Sequence, residues 1–134
     1  MKRNSFLFIL FSFSFASYSQ NADSTWIVNN YIKMEKSIAM RDGIKLFTSI
    51  YIPKDKTDRH PILISRTPYS CAPYGEHNFR NFWNSYESEY FKEGYIMVIQ
   101  DVRGRWMSEG KFVDVRPFNA NKKGNETDEA SDTY

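Results

Sequence analysis

The sequence predicts an α/β fold in which an antiparallel hairpin stands ahead of parallel strands, and three observations predict it. Residues 37–53, SIAMRDGIKLFTSIYIP, alternate about an Asp42-Gly43 pair, a strong short-range hairpin signal. Two short apolar runs follow, at 62–65 and 95–100, of the kind carried by strands buried on both sides. Between them lies a stretch of helical periodicity long enough for a right-handed crossover, which makes the two runs a parallel pair. A hairpin followed by strand, helix and strand is an α/β sheet with an antiparallel edge.

The first 20 residues stand apart from that pattern. Lys2 and Arg3 precede an apolar stretch at 6–16, shorter than the roughly 20 residues a membrane span needs. Ser17 and Ser19 are small residues placed for cleavage before Gln20. We read residues 1–19 as a Sec-type bacterial signal peptide rather than a membrane anchor, and no cysteine stands at the cleavage region to make a lipoprotein. The mature protein is then periplasmic or secreted, with no stable membrane anchor.

Bulk properties bound the rest. The 134 residues suffice for one domain or part of one. With 41% hydrophobic and 25% charged residues the chain reads as globular. Setting aside Lys2 and Arg3 leaves basic and acidic residues in balance at 16 each, so there is no electrostatic footprint for nucleic acid. The single cysteine, Cys71, excludes an internal disulfide. It follows Tyr69 closely, but no histidine partner is evident, and packing or a loop position suits it better than a catalytic role.

Along the mature chain, residues 20–36 read as a lead-in. Ser24 or Thr25 is a candidate helix cap, with Ile27, Tyr31 and Met34 at near-helical spacing. Ile38 and Met40 begin the hairpin, and Ile44, Leu46, Thr48, Ile50 and Ile52 line one face of its second strand until Pro53 stops it. KDKTDRH is a polar loop. Phe79, Phe82, Tyr86, Tyr90 and Phe91 predict a helix over 78–92, closed by Gly94 at the C′ position. That aromatic stripe reads as core packing rather than a ligand cage.

The end of the chain predicts the start of another helix. Thr127 or Asp128 would cap it, and Glu129 and Asp132 would favour its positive end. The acidic run at 126–132 reads as that helix start, not as a metal site. Two parallel strands cannot by themselves cover both faces of a sheet or satisfy its edges, so the sequence reads as the front of a larger domain.

Four segments in order carry a family resemblance: MRDGIKLFTSIYIP, PILISRTPYS, GYIMVIQDVRGRWMSEGKF and TDEASDTY. Together they resemble the N-terminal part of the α-amino-acid ester hydrolases, which belong with the cocaine-esterase-like and X-prolyl dipeptidyl-peptidase-like serine hydrolases. The likeness spans residues 37–134. It implies an incomplete α/β-hydrolase domain there, cut before the nucleophile elbow, with a helical cap and a C-terminal jelly roll in the whole protein. The Ser-His-Asp triad it implies is absent from the chain. No G-x-S-x-G occurs, and Ser108 between Gly104 and Gly110 has the wrong spacing for an elbow. His60 and His77 precede the motifs and read as surface loop residues.

The resemblance gives Tyr69 a role, as a hydroxyl donor to the oxyanion hole beside a backbone N–H next to the nucleophile. Without the resemblance, Tyr69 could equally pack in a turn. The residues suit the implied role. Pro68 fixes the backbone just before Tyr69 and pushes Thr67 toward an extended conformation. The phenol then stands beyond the C-terminal end of a strand, where α/β sheets bind ligands. Arg66 is expected to anchor the oxyanion loop. Asp101 and Arg103 are expected to fasten the next loop by charge-assisted hydrogen bonds, and Gly104 to permit a tight turn.

The expected function is that of an exported serine hydrolase cleaving esters or amides of α-amino acids through an acyl-enzyme. An X-prolyl dipeptidyl peptidase or general carboxylesterase is the alternative within enzymes, and an inactive secreted fragment or binding module the alternative outside them. The partner implied is a small-molecule or short-peptide acyl substrate. Neither cofactor nor metal is called for, and a homo-oligomer of the full-length protein stays open.

Overall fold

The computed structural model describes residues 19–82 and 85–133, with side chains from Thr25 onward. The signal-peptide reading falls, except for Ser19, outside the described residues. Among them, no helix is long and apolar enough to cross a membrane.

Helix α1 (Ser19–Asn30) leads directly into β1 (Tyr31–Ala39), followed by β2 (Lys45–Pro53), β3 (Ile62–Thr67), α2 (Glu87–Lys92), β4 (Ile96–Asp101) and α3 (Glu129–Thr133). The strands form one sheet in the order β1-β2-β4-β3. β1 pairs antiparallel with β2, and β2 antiparallel with β4. β3 and β4 are parallel and in step, so that Thr67 lies opposite Asp101. Both loops that follow these strands therefore leave the sheet at the same level. This is the N-terminal part of an α/β-hydrolase-like sheet.

The hairpin turn forms where the sequence predicts it. Gly43, at φ +85°, takes a left-handed conformation that a side chain would strain, and Met40 and Ile44 close the turn. The first strand, however, starts at Tyr31, ahead of the expected position. Tyr31 and Met34 continue a strand, not a helix, because β1 finds partners in β2 from Tyr31↔Pro53 to Ala39↔Lys45. Ladder hydrogen bonds to a distant segment outweigh weak local periodicity.

The helix expected over 78–92 is likewise shorter. It forms only at Glu87–Lys92, and Trp83 and Asn84 lie outside the described residues. Two contacts explain why 78–82 stay non-helical. The carbonyl of Asn78 accepts from the buried Lys33 ammonium at 3.0 Å, beside the carbonyls of Pro73 and Gly75. Phe79 and Phe82 both meet the Tyr51 ring edge-on, at 5.7 and 5.0 Å between centroids. The end of α2 follows expectation. Gly94 at φ +78° donates to Phe91 O, and Tyr95 N–H donates to Tyr90 O. These are the two bonds of a Schellman cap, and the accompanying Tyr90–Tyr95 ring contact spans 5.1 Å.

The core lies on one face of the sheet. Ile27, Tyr31, Tyr51, Cys71, Phe82, Phe91, Met97 and Ile99 are buried together. On β2 this is the face of Phe47, Ser49 and Tyr51, opposite the one marked by Leu46, Thr48 and Ile50. Leu46 and Thr48 are nevertheless fully buried. Where the sequence predicts a β3 buried on both sides, Ile62 is 67% and Ile64 44% exposed among the described residues, and β3 is the last strand in their order.

Tyr31 ties α1, the sheet and α2 together. Its hydroxyl donates to the carbonyls of Phe91 and Tyr95, burial pushes its pKa up to about 12, and its ring lies 4.9 Å from that of Phe91. Phe91 also meets Phe82 and Tyr51. Phe91→Ala should therefore cost about 3–5 kcal/mol of stability, read as a lower urea midpoint. A loss below about 1 kcal/mol would place the ring outside the cooperative core.

Candidate functional site

The two parallel strands deliver their loops to one place. β3 ends in Arg66-Thr67, and Pro68-Tyr69 turn outward from it. β4 ends in Asp101, and residues 102–110 fold back beside that turn. What joins them is the carboxylate of Asp101, which is wholly buried. One oxygen accepts from Cys71 N–H at 2.7 Å. The other accepts from Tyr74 O–H at 3.1 Å and Met107 N–H at 3.4 Å. A buried charge is tolerable only with such donors around it.

Around this hub the Tyr69 segment is closely bonded. Tyr69 N–H donates to Thr67 Oγ1 at 3.0 Å. The Pro68 carbonyl accepts from Trp106 Nε1 at 2.8 Å and from Arg105 Nε at 3.3 Å. Ser70 follows at φ +83°, a conformation that costs a non-glycine residue roughly 1–2 kcal/mol. Its hydroxyl meets Tyr74 Oη at 3.0 Å and accepts from Ala72 N–H. The Tyr69 side chain is 85% exposed, so a supported backbone carries a phenol that faces solvent.

Arg66 departs from expectation. Its guanidinium turns to Gln100, to the carboxylate and carbonyl of Glu129, and to Thr133 Oγ1. It thus ties β3 to α3 rather than to the Tyr69 loop. Its place one turn-residue away on the strand sends its side chain to the face opposite Thr67. Arg103 makes paired bonds with Asp42 at 2.7 and 3.1 Å and with Asp132 at 3.0 and 2.6 Å. It fastens the hairpin turn and α3 to the end of β4. Arg116 adds bonds to Asp132 and Glu129. Burial alone would raise the Asp132 carboxyl, but hydrogen bonds from Arg103 and Arg116 outweigh it and hold the group below the ordinary carboxylate range.

Gly104 takes φ +70°, and a Cβ there would fall 2.0 Å from the backbone nitrogen of Phe112. The turn needs glycine for space as well as for conformation. Asp128 caps α3 reciprocally: its carboxylate accepts from Ser131 N–H, and Ser131 Oγ accepts from Asp128 N–H. N–H donation from Asn119, with Lys122 and Ser131 adding to it, holds the Asp128 carboxyl well below its usual range. The acidic run is thus taken up by the cap and by cations. Among the described residues no group of three or more His, Cys, Asp or Glu side chains is arranged to hold a metal ion.

His60 and His77 lie apart from this site, whereas Cys71 joins it only through its backbone N–H. His60 contacts the Asp55 carbonyl in the loop after β2, and His77 is exposed in the loop before α2. Cys71 is buried against Ser49, and burial pushes its thiol up to about 11. Sequence reasoning missed Arg105, Trp106 and Tyr74. Their contacts depend on two loops meeting, and neither loop carries a local signal of the other.

Comparison with known proteins gives consistent matches. A family model described as X-Pro dipeptidyl-peptidase (S15 family) matches residues 42–134. A cocaine esterase from Rhodococcus sp. (strain MB1 Bresler) is 38% identical over 80 residues, which is 57% of this chain and 12% of that one. A solved α-amino acid ester hydrolase superposes with a TM-score of 0.64 at 38% identity, covering 78% of this chain and 18% of that one. An aminopeptidase from the marine sediment archaeon Thaumarchaeota archaeon superposes equally well, at 34% identity and the same coverage. The chain thus spans less than a fifth of the length of each of these relatives.

Two outcomes follow from the geometry. Asp101→Ala orphans the buried Cys71 N–H and should cost about 1–3 kcal/mol, with faster amide exchange at residue 71. Unchanged exchange there would mean that the loop does not depend on the carboxylate. Cys71 should resist thiol-directed reagents at pH 8 until the protein is denatured. Because its folded pKa is raised, its contribution to stability is whole below the thiol's ordinary value of 9.0 and is lost as pH climbs toward about 11. A Cys71→Ser variant should lack that loss, as read from denaturation midpoints between pH 8 and 11.

Proposed function

Because the chain belongs to the X-Pro dipeptidyl-peptidase (S15) family, we propose that it is the N-terminal part of an exported serine hydrolase acting on esters or amides of α-amino acids. Tyr69 is its oxyanion-hole donor. The observation that carries this reading is the exposed phenol of Tyr69 on a backbone bonded on both sides of its peptide. Export rests on the signal-like pattern of residues 1–19.

The serine, the base and its acid partner come in this proposal from sequence beyond residue 134. Serine Oγ bonds to the substrate carbonyl carbon while the base takes its proton, and the carbonyl oxygen becomes an oxyanion. The Tyr69 O–H donates to that oxygen, with a backbone N–H beside the nucleophile as its companion. The intermediate collapses, the leaving alcohol or amine departs with the proton, and an acyl-enzyme remains for water to hydrolyse. A donor placed for the oxyanion lowers the barrier because it binds the transition state more strongly than the flat carbonyl.

The solved α-amino acid ester hydrolase and the aminopeptidase among the similar structures support α-amino-acid substrates, and the cocaine esterase relative keeps a general carboxylesterase as an alternative. The family description favours an X-prolyl dipeptidyl peptidase as the second reading. L-alanine methyl ester, an Ala-Pro anilide and p-nitrophenyl butyrate separate the three when offered to the full-length enzyme.

Tyr69→Phe in that enzyme should lower kcat on its best substrate by about 10²–10³-fold. KM and the denaturation midpoint should hold nearly constant. Undiminished turnover would remove Tyr69 from the chemistry.

A further inference from the structure

We propose that Trp106 is a positioning residue for Tyr69, acting through the carbonyl of Pro68. This rests on the oxyanion reading of Tyr69. The peptide between Pro68 and Tyr69 is held at both of its polar atoms. Its N–H donates to Thr67 Oγ1 at 3.0 Å, and its carbonyl accepts from the Trp106 indole at 2.8 Å. Arg105 Nε is a longer second donor to the same oxygen, at 3.3 Å. Fixing both atoms fixes the plane of that peptide, and with it the position of the Tyr69 Cα and the axis about which its side chain turns.

Packing does not account for Trp106. The indole is 59% exposed, so it contributes little to a core. Its backbone is also at φ +51°, a conformation unfavourable for a bulky side chain. Such strain persists only where surroundings over-determine it, and it gathers at functional sites. The surroundings here are a turn anchored on several sides. Arg105 N–H donates to Val102 O, and Ser108 N–H to Arg105 O. Ser108 Oγ donates to the Asp101 carbonyl and accepts from Phe47 N–H. Met107 N–H reaches the Asp101 carboxylate. The turn thus presents the indole N–H from a framework bonded to β2 and β4.

Catalysis by a preplaced donor depends steeply on its position, with about 10²-fold lost for a displacement near 1 Å. Arg105 keeps a partial hold on the carbonyl when the indole N–H is removed. Trp106→Phe, which keeps a ring and deletes the donor, should therefore lower kcat by roughly 10-fold, with KM nearly unchanged.

The test is a double-mutant cycle in the full-length enzyme, using whichever of the three substrates above it turns over fastest, with denaturation midpoints measured for every variant. Trp106→Phe should slow the wild type but have no further effect in a Tyr69→Phe background. An equal loss in both backgrounds, an unchanged kcat, or a fall that merely tracks the folded fraction would overturn the positioning role while leaving Tyr69 in place. A Tyr69→Phe enzyme as fast as wild type would instead overturn the oxyanion reading, and this inference with it.

Discussion

The structure turns on one buried carboxylate. Asp101 closes β4, directly opposite the last residue of β3, and it accepts from donors in both of the loops that follow those strands. In a low-dielectric interior a buried carboxyl group is costly unless such donors satisfy it. The donors are in turn held where the carboxylate needs them. One group therefore couples two loops that share no secondary structure. The Tyr69 backbone inherits its placement from that coupling, and so does the turn that carries Trp106.

A second polar assembly works on the opposite side of the same strand ends. Arg66, Arg103 and Arg116 converge on Asp132 and Glu129, and Arg103 extends the set to Asp42 in the hairpin turn. Hydrophobic groups of equal volume would give comparable stability, because desolvating several charges offsets much of their attraction. The fork geometry of arginine instead specifies a unique arrangement. Here it sets the direction in which α3 leaves the sheet. The two assemblies meet in neighbouring residues, Asp101 and Arg103, whose side chains serve the loops and the helix respectively.

The sheet itself is apolar on both faces. The aromatic cluster about Tyr51 and Phe91 covers one of them. The other presents Ile32, Ile38, Ile62 and Ile64 to solvent. Strands of this composition belong to sheets covered on both sides. The ion-pair assembly that seats α3 lies against this second face, at Arg66 and Gln100.

What the sequence determined by itself is what short stretches encode. Asp42-Gly43 marked the hairpin turn and Gly94 the end of a helix, because a positive φ leaves a local signature. The sequence placed the cap of α3 at Thr127 or Asp128, and the structure settles it at Asp128. Only the tertiary structure decided the rest. Tyr31 and Met34 entered a strand, and residues 78–82 gave up their helical spacing to Lys33 and Tyr51, because distant partners offered more than local periodicity. β3 took its place beside β4 because strand pairing is a tertiary outcome that composition within a strand does not encode. The meeting of Trp106 with Pro68 was also a tertiary outcome. Their hydrogen bond joins loops brought to one level by parallel pairing, and periodicity within either loop holds no information about the other.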